Sequence, residues 1–210
     1  RYFSPDIKNE IEETGLNFSE YIPKNLNVAV LFTDIVGFTK LSEKMEPNDV
    51  LELLSEYQTI MVECIFEFNG TVDKFIGDAV MANFGTPKSY GNDAQNAFDC
   101  AKKMKSMLHE WNKNRNDNRQ KVIEHRIGIH YGECIVGNVG GEKRVEYTVL
   151  GDTVNVASRL CDLSKIFNND LLISKALYDQ IEIVEEYEEF DSHPIKGRKE
   201  KIDLIRVFLD

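Results

Sequence analysis

The pattern of apolar and polar positions predicts a buried strand followed by a long amphipathic helix in the first third of the chain. Residues 27–32 (NVAVLF) form a continuous apolar run of the kind that a buried strand shows. From Asn48 onward, apolar residues recur at helical spacing. Asn69-Gly70 is expected to end this helix, because glycine is the usual residue just beyond a helix C-terminus.

A hairpin and a second helix are predicted next. Two strand-like runs, 71–76 and 79–84, flank the dipeptide Gly77-Asp78, which is typical of a β-hairpin with a two-residue turn. Asp93 opens an amphipathic helix that is expected to extend to Trp111. The polar tract that follows, 112–119, is predicted to be a surface loop.

The second half of the chain is richer in strands. A strand pair is expected around Gly132, and Gly151-Asp152 leads into a helix predicted from Thr153 to about Phe167. A short helix is expected between the last strands. The predicted strands of this half are 126–131, 133–139, 144–150, 171–174, an acidic strand region at 182–190, and 203–209.

This order of elements is β-α-β-β-α-β with further strands, which is that of a split βαβ or ferredoxin-like core. The predicted fold class is therefore α+β, an α/β sandwich with helices on one sheet face and a β-rich C-terminal extension. Residues 27–210 are expected to form one domain. Residues 1–26 are expected to be a lead-in from an upstream domain, because the sequence begins at Arg1 and not at a methionine.

Charge and cysteine content exclude several classes of function. The chain has 25 Lys and Arg against 36 Asp and Glu, a net charge of −11, so neither a nucleic-acid partner nor direct membrane contact is expected. No apolar run approaches the ~20 residues that a membrane span needs. The 4 cysteines include no C-x-x-C pair, which argues against a zinc site or a disulfide framework and favours a reduced, cytoplasmic setting, either of a cytoplasmic protein or of the cytoplasmic domain of a membrane-anchored one.

Two aspartates are candidates for metal binding. Asp34 follows the first strand, where it could hold Mg²⁺ while the backbone N–H groups of residues 35–39 face phosphate oxygens. Taken alone, it is equally well explained as a helix cap, and Asp78 as an ordinary turn residue. Because the first strand and the hairpin are neighbours in a split βαβ sheet, we expect the two carboxylates to converge, as two metals over a triphosphate require.

Three further side chains could act on a nucleotide. Lys74 stands four residues before Asp78, although a strand lysine is often only a solvated edge residue. Asn155 and Arg159 are spaced i, i+4 and so share one helix face. An amide and a guanidinium suit a sugar and a charged phosphate, but a plain surface helix face would look the same.

Four segments together resemble the class III nucleotidyl cyclases. They stand in the order of that family and near its usual spacing, and the resemblance covers about residues 27–209. The segments are 32–39 (FTDIVGFT), 74–81 (KFIGDAVM), 128–132 (GIHYG) and 147–159 (YTVLGDTVNVASR).

The resemblance implies an enzyme that uses two divalent cations, Mg²⁺ or Mn²⁺. In that family the ribose 3′-OH attacks the α-phosphate of a nucleoside triphosphate, which yields a cyclic nucleotide and pyrophosphate. Asp34 and Asp78 match the metal-binding aspartates, and the Ile35 carbonyl is the expected further ligand. Asn155 matches the residue that orients the ribose, and Arg159 matches the residue that stabilises charge on the α-phosphate.

The other substrate contacts that the resemblance implies concern the phosphates. Gly37, Phe38 and Thr39 form the turn expected to face them, and Lys196 looks like the family's lysine for the terminal phosphates. The pattern after Lys196 is Gly-Arg-Lys, looser than the family's Gly-Lys-Gly. Some members carry a phosphate-binding arginine after the GIHYG glycine, where this chain has Glu133.

The base expected from the resemblance is adenine. Lys74 occupies the purine-reading position, where guanylyl cyclases usually have Glu, and Thr148 occupies the second reading position. An ammonium can donate to adenine N1, and a hydroxyl can accept from its N6 amino group. ATP is therefore the expected substrate and cyclic AMP the expected product.

Sites in this family form between two subunits, and this chain holds both sets of residues. A homodimer with two head-to-tail sites, under the control of an upstream sensor or regulatory domain, is therefore expected. Two alternatives remain from the sequence, a guanylyl cyclase and a non-catalytic nucleotide-sensing dimerisation module. A diguanylate cyclase is disfavoured, because the Gly-Gly-Asp/Glu-Glu-Phe hairpin of that group is not found at 140–144 (GGEKR).

Overall fold

The structure is a computed structural model that describes residues 23–141, 144–194 and 201–209. Of the side chains at 138, 140, 141 and 144–146 nothing is described. Within these ranges the chain forms eight strands, five α-helices and a short 3-10 helix. In chain order they are β1 (Lys24–Ile35), α1 (Phe38–Ser42), α2 (Pro47–Glu67), β2 (Thr71–Ile76), β3 (Ala79–Phe84), α3 (Asp93–Asp117), β4 (His125–Gly141), β5 (Arg144–Leu150), α4 (Asp152–Leu163), the 3-10 helix (Ser164–Ile166), β6 (Leu171–Ser174), α5 (Lys175–Tyr178), β7 (Tyr187–His193) and β8 (Ile202–Val207).

All eight strands belong to one sheet in the order β2-β3-β1-β4-β6-β8-β7, and β5 pairs with β4 outside this path. The first four strands of that order are antiparallel, and two helices of the same unit connect them. This is the predicted ferredoxin-like core, and β5 to β8 form the predicted β-rich extension. β6 joins parallel to β4, so the sheet as a whole is mixed.

The two faces of the sheet carry different helices. Ala29 and Leu31 of β1 pack in the main core with α2 and α3, on the face where the predicted helices were expected. Val28 and Val30 point the other way and pack with residues of α4. The expectation of helices on one face therefore holds for α2 and α3 but is wrong for α4. Successive residues of a strand face opposite sides, and both sides of β1 are apolar, so each side is covered by a helix.

Glycine at position 128 allows α4 to lie directly on the sheet. A Cβ at Gly128 would lie 2.1 Å from the backbone nitrogen of Cys161 and 2.8 Å from the carbonyl oxygen of Ala157. The helix backbone thus occupies the space that any side chain at 128 would need. This close approach fixes how the solvent-facing side of α4 is placed relative to β1 and β4.

One predicted boundary differs from the structure because of tertiary contacts. The tract 112–119 is mostly helical, since α3 continues to Asp117. Its polar side chains bind the next segment: Asn112 exchanges hydrogen bonds with the backbone of Ile123, and Arg115 Nε donates to the Lys121 carbonyl at 2.8 Å. Polarity here therefore marks backbone-binding side chains and not a loop.

Three other differences concern two strand regions and the end of one helix. The predicted pair at 126–131 and 133–139 is the single strand β4, because β1 pairs with it continuously from His125 to Val136, through Gly132. The helix predicted to reach about Phe167 ends at Leu163 and continues as the 3-10 helix. The acidic strand lies at Tyr187–His193, later than predicted.

Candidate active site

The first group of candidate residues lies where β1 ends beside the β2–β3 turn. Asp34 and Ile35 close β1, and Asp78 follows Gly77, whose φ of +64° permits the tight turn. The Ile35 N–H donates a 3.0 Å hydrogen bond to Asp78 Oδ2, so the structure brings these residues together. Gln58 of α2 donates to the Gly77 carbonyl at 3.3 Å and ties the turn to the helix below it.

Arg126 is the direct partner of Asp34. It lies opposite Asp34 on β4, and its Nε and Nη2 donate to the two carboxylate oxygens of Asp34 at 2.8 Å each. Both side chains are largely buried, with 13% of Arg126 and 19% of Asp34 exposed. Burial raises the pKa of Asp34, the charge of Arg126 lowers it, and the nearby Asp78 raises it again.

The donor set at this edge fits a divalent cation that is shared with a substrate. Mg²⁺ is usually held by one or two carboxylates together with waters and phosphate oxygens. Asp34 and Asp78 supply two carboxylates, and the rise that the charge of Asp78 causes in the pKa of Asp34 is the response of like charges that a cation would neutralise. Within 23–141, 144–194 and 201–209, no cluster of three or more His, Cys, Asp or Glu side chains is suited to hold a metal by itself.

A buried polar cluster supports the end of β1 from the core side. The hydroxyls of Thr33 and Tyr57 share a hydrogen bond of 2.9 Å, and His125 Nδ1 lies 3.4 Å from both. Burial raises the pKa of Tyr57 well above its usual range and lowers that of His125 well below its usual range. Both groups are therefore neutral at neutral pH, and they fix the backbone next to Asp34 without adding charge.

The second group of candidate residues joins β2 to β5. Thr148 is buried, and its hydroxyl lies 2.8 and 2.9 Å from the two carboxylate oxygens of Asp73. The same carboxylate accepts from the Val149 N–H at 3.2 Å and pairs with the Lys74 ammonium at 3.4 Å. Asp73 therefore connects Lys74 and Thr148, the two residues that the sequence assigns to the base.

A β-bulge explains how two adjacent residues of β2 serve the same site. The pairing of β2 with β3 shifts register between Val72 and Lys74, so that Asp73 is an extra residue in the strand. Val72 and Phe75, three residues apart, both pack in the core with α2 and α3. Asp73 and Lys74 between them are thereby both available to the opposite side, where Thr148 lies.

The third group lies on the solvent-facing side of α4. Asn155 and Arg159 are exposed, whereas Val156 and Leu160 beside them are buried. The helix start is anchored because the Thr153 hydroxyl donates to the Glu133 carbonyl at 2.7 Å. Arg159 pairs with Asp162 across one turn at 3.6 Å, a surface ion pair that leaves its guanidinium accessible.

The remaining predicted residues are placed as follows. Gly37, with φ of +67°, precedes α1, and Phe38 and Thr39 form the first turn of that helix, where backbone N–H groups have no intrahelical acceptor. Glu133 is exposed on β4. Lys196 lies outside the described residues.

Two residues of these groups, Asp73 and Arg126, were missed by the sequence reasoning. The sequence signal for Arg126 was available, since a charged residue directly precedes the apolar strand run, but the register that sets it opposite Asp34 was not. For Asp73 the signal was a second charge next to Lys74. Strict alternation along a strand places neighbouring residues on opposite faces, so it does not predict that both serve one site.

Among the described residues, the helices include none that is both long and apolar enough to cross a membrane.

The 4 cysteines of the chain are all buried and unpaired. Burial raises the pKa of the Cys161 thiol well above its usual range, so this group beneath the site is a packed apolar residue and not a nucleophile.

Comparison with known proteins finds one family over almost the whole chain. The model of the adenylate and guanylate cyclase catalytic domain matches residues 20–206. Adenylate cyclase 1 of Rhizobium meliloti is 31% identical over 95% of this chain and 33% of its own length. The adenylate cyclase of Anabaena cylindrica is 35% identical over 86% of this chain and 36% of its own length. The chain thus spans about a third of the length of these curated relatives.

Solved structures show the same fold. The adenylyl cyclase CyaB from P. aeruginosa superposes with a TM-score of 0.80 at 34% identity, covering 90% of this chain and 96% of that one. The guanylyl cyclase Cya2 superposes with a TM-score of 0.78 at 30% identity, covering 88% and 92%. Because the family model matches from residue 20 to 206, the chain belongs to the family of class III adenylate and guanylate cyclase catalytic domains.

Proposed function

We propose that this domain is an adenylyl cyclase that converts ATP to 3′,5′-cyclic AMP and pyrophosphate. The observation that carries the proposal is the convergence of Asp34, Ile35 and Asp78, linked by the 3.0 Å hydrogen bond from Ile35 to Asp78. A non-catalytic nucleotide sensor has no need of two partly buried carboxylates at one sheet edge, where the charge of Asp78 raises the pKa of Asp34.

Asp34, Asp78 and the Ile35 carbonyl would hold the divalent cations, Mg²⁺ or Mn²⁺. Cations at such a site stabilise the attacking and the leaving oxygens of an in-line displacement. The protein's own part is to keep both carboxylates ionised and oriented, which the paired donors of Arg126 do for Asp34.

The exposed side of α4 would bind the sugar and the reacting phosphate. Asn155 orients the ribose through its amide, and Arg159 donates to the α-phosphate as negative charge develops there. The backbone N–H groups of Gly37, Phe38 and Thr39 at the start of α1 would bind the outer phosphates, with Lys196 as a further cation.

The two solved structures described above include one adenylyl and one guanylyl cyclase, so the choice of base rests on the residues of this chain, which favour adenine. Lys74 donates to adenine N1 and Thr148 accepts from the N6 amino group. Guanine offers the opposite pattern at these positions, with a donor at N1 and an acceptor at O6.

The complete site is proposed to form in a homodimer with two head-to-tail sites. Asp34 and Asp78 would come from one copy, and Lys74, Thr148 and the α4 pair Asn155 and Arg159 from the other. Within one copy the two groups belong to separate hydrogen-bonded clusters, Asp34 with Arg126 and Thr148 with Asp73.

Residues 1–26 are proposed to connect the domain to an upstream sensor or regulatory domain. β1 begins at Lys24, three residues before the expected start of the domain, so the connection would enter the sheet directly. The domain is proposed to act in the cytoplasm, where the unpaired cysteines stay reduced.

The test of this function is product formation from ATP and GTP side by side, with Mg²⁺ or Mn²⁺, over a range of protein concentration. We expect cyclic AMP from ATP alone, with a rate that rises faster than linearly with protein because the site needs two copies. Cyclic GMP as the main product would overturn the choice of base. No product at any concentration, with nucleotide still bound, would favour the sensing module.

A further inference from the structure

Asp73 is a buried carboxylate whose hydrogen-bond and ion-pair partners among the described residues are all donors. Its side chain is 1% exposed. It accepts from the Thr148 hydroxyl at 2.8 and 2.9 Å and from the Val149 N–H at 3.2 Å, and the Lys74 ammonium lies 3.4 Å away. Burial raises the pKa of Asp73, but every one of these neighbours lowers it and so favours the ionised form, which has acceptors and no proton to donate.

This arrangement decides how the Thr148 hydroxyl is used. A hydroxyl has one hydrogen to donate and two lone pairs that accept. Because ionised Asp73 can only accept, the single hydrogen of Thr148 is committed to it, at ordinary O–H···O distances. The lone pairs are all that Thr148 can then present to a ligand.

We propose that Asp73 sets the base preference of the site, as a positioning residue that fixes Thr148 as an acceptor and Lys74 as a donor. The inference rests on the proposed function and extends it from the two residues that touch the base to the residue that orients both. An acceptor at Thr148 matches the N6 amino group of adenine. The same acceptor repels O6 of guanine, which has no hydrogen to share with it.

Threonine without such a partner would not discriminate, because its hydroxyl could rotate and donate to O6 as readily as it accepts from N6. The fixed rotation comes from the bulge that inserts Asp73 into β2 next to Lys74. The competing explanation is that Asp73 only joins β2 to β5. A structural link would affect stability and turnover with both nucleotides alike, so the ratio between ATP and GTP separates the two explanations.

The experiment uses Asp73→Asn, which keeps the shape of the side chain but adds a donor. The Asn amide can donate to Thr148 and release its hydrogen toward the base. We expect the ratio of kcat/KM for ATP over that for GTP to fall at least about tenfold, the value of one hydrogen bond to a charged group. The change should appear mainly as a higher KM for ATP and a lower KM for GTP.

Two further variants make the test specific. Thr148→Val removes the hydroxyl, and in that background Asp73→Asn should change the ratio by much less than it does in the wild type, because only its effect through Lys74 remains. Asp170→Asn is the matched control, since Asp170 is also a partly buried carboxylate, bound by Arg206 at 2.8 and 2.9 Å on β8, outside the site. It should lower stability without changing the ratio.

The outcomes are distinguishable from a failure of the proposed function. If the wild type makes no cyclic nucleotide, that function fails, and competition of ATP and GTP against a fluorescent ATP analogue then reads the same ratio by binding. An unchanged ratio in Asp73→Asn, or an equal change in the Thr148→Val background, would overturn the role of Asp73. If Asp73→Asn does not fold, Asp73→Ser, which can also donate, replaces it. Failure of both to fold would assign Asp73 a structural role only.

Discussion

A methyl group at position 128 should displace the helix that carries Asn155 and Arg159. The Cβ of an alanine there would lie 2.1 Å from the Cys161 nitrogen, whereas ordinary contact begins at 3.4 Å, so α4 has to move by at least about 1.3 Å. The atoms it meets are backbone atoms, which no change of rotamer can remove. Gly128→Ala therefore tests whether the placement of α4 on β4 determines activity.

We expect Gly128→Ala to lower the free energy of unfolding by about 1–3 kcal/mol, the usual range for overpacking a core. A shift of 1 Å in positioned groups lowers turnover by about 10²-fold, so we also expect activity to fall by roughly that factor. Urea unfolding followed by circular dichroism measures the first quantity. Initial rates of cyclic AMP formation, at a temperature where the variant is fully folded, measure the second.

The matched control is Ile129→Val on the same strand. Ile129 is buried on the opposite face, with α2 and α3, so the loss of one methylene should lower stability by about 0.5–1.5 kcal/mol without moving α4. Its activity should stay near that of the wild type when both are folded. If Gly128→Ala keeps full activity, or loses no more than Ile129→Val does, the packing of α4 on Gly128 does not position the catalytic face.

Three further predictions concern the residues around the site. Arg126→Met leaves the Asp34 carboxylate without its two donors and should lower the free energy of unfolding by about 1–3 kcal/mol. Added Mg²⁺ should then raise Tm more in this variant than in the wild type, because the cation replaces the lost positive charge; an equal rise in both would contradict this pairing. Burial holds the pKa of His125 well below its unfolded value near 6.5, so below that pH the unfolded state binds one more proton than the folded state. The free energy of unfolding should therefore decrease as the pH falls below 6.5, by up to about 1.4 kcal/mol per pH unit. Urea titrations from pH 7.5 to 5.5 should show a smaller slope in His125→Asn, and equal slopes would exclude His125 as the cause. Thr153→Val removes the bond from α4 to the Glu133 carbonyl and should lower stability by about 1 kcal/mol with a larger relative loss of kcat, which stability and rate measurements on one preparation would test.

Much of the core could be predicted because its signals are local. The hairpin is confirmed at Thr71–Ile76 and Ala79–Phe84, since its turn dipeptide and its apolar runs lie next to one another in the chain. β5 is also confirmed at its predicted bounds, Arg144–Leu150. The meeting of Asp34 and Asp78 was predictable for a related reason: the split βαβ order places β1 beside the hairpin.

The parts that could not be predicted depend on register and on distant contacts. The bulge at Asp73 changes the face of one residue, and no local pattern in the sequence marks it. The partner of Asp34 follows from the pairing of β1 with β4 across 92 positions of sequence. The tract 112–119 was expected to be a loop from its polarity, but Asn112 and Arg115 satisfy backbone groups of the segment that follows. In each case the residue type was informative only once its neighbour in space was known.

The most direct test of the account is complementation between two inactive chains. Asp34→Ala removes a proposed metal ligand, and Arg159→Ala removes the group proposed to stabilise the α-phosphate, so each purified variant alone should make almost no cyclic AMP. When the two are mixed, hybrid dimers contain one site with both residues intact, and we expect activity to return to about a quarter of the wild-type rate at equal mixing, since half of the dimers are hybrids and each has one working site of two. A mixture as inactive as its components, under conditions where subunits exchange, would contradict the proposal that one copy supplies the metal site and the other supplies α4.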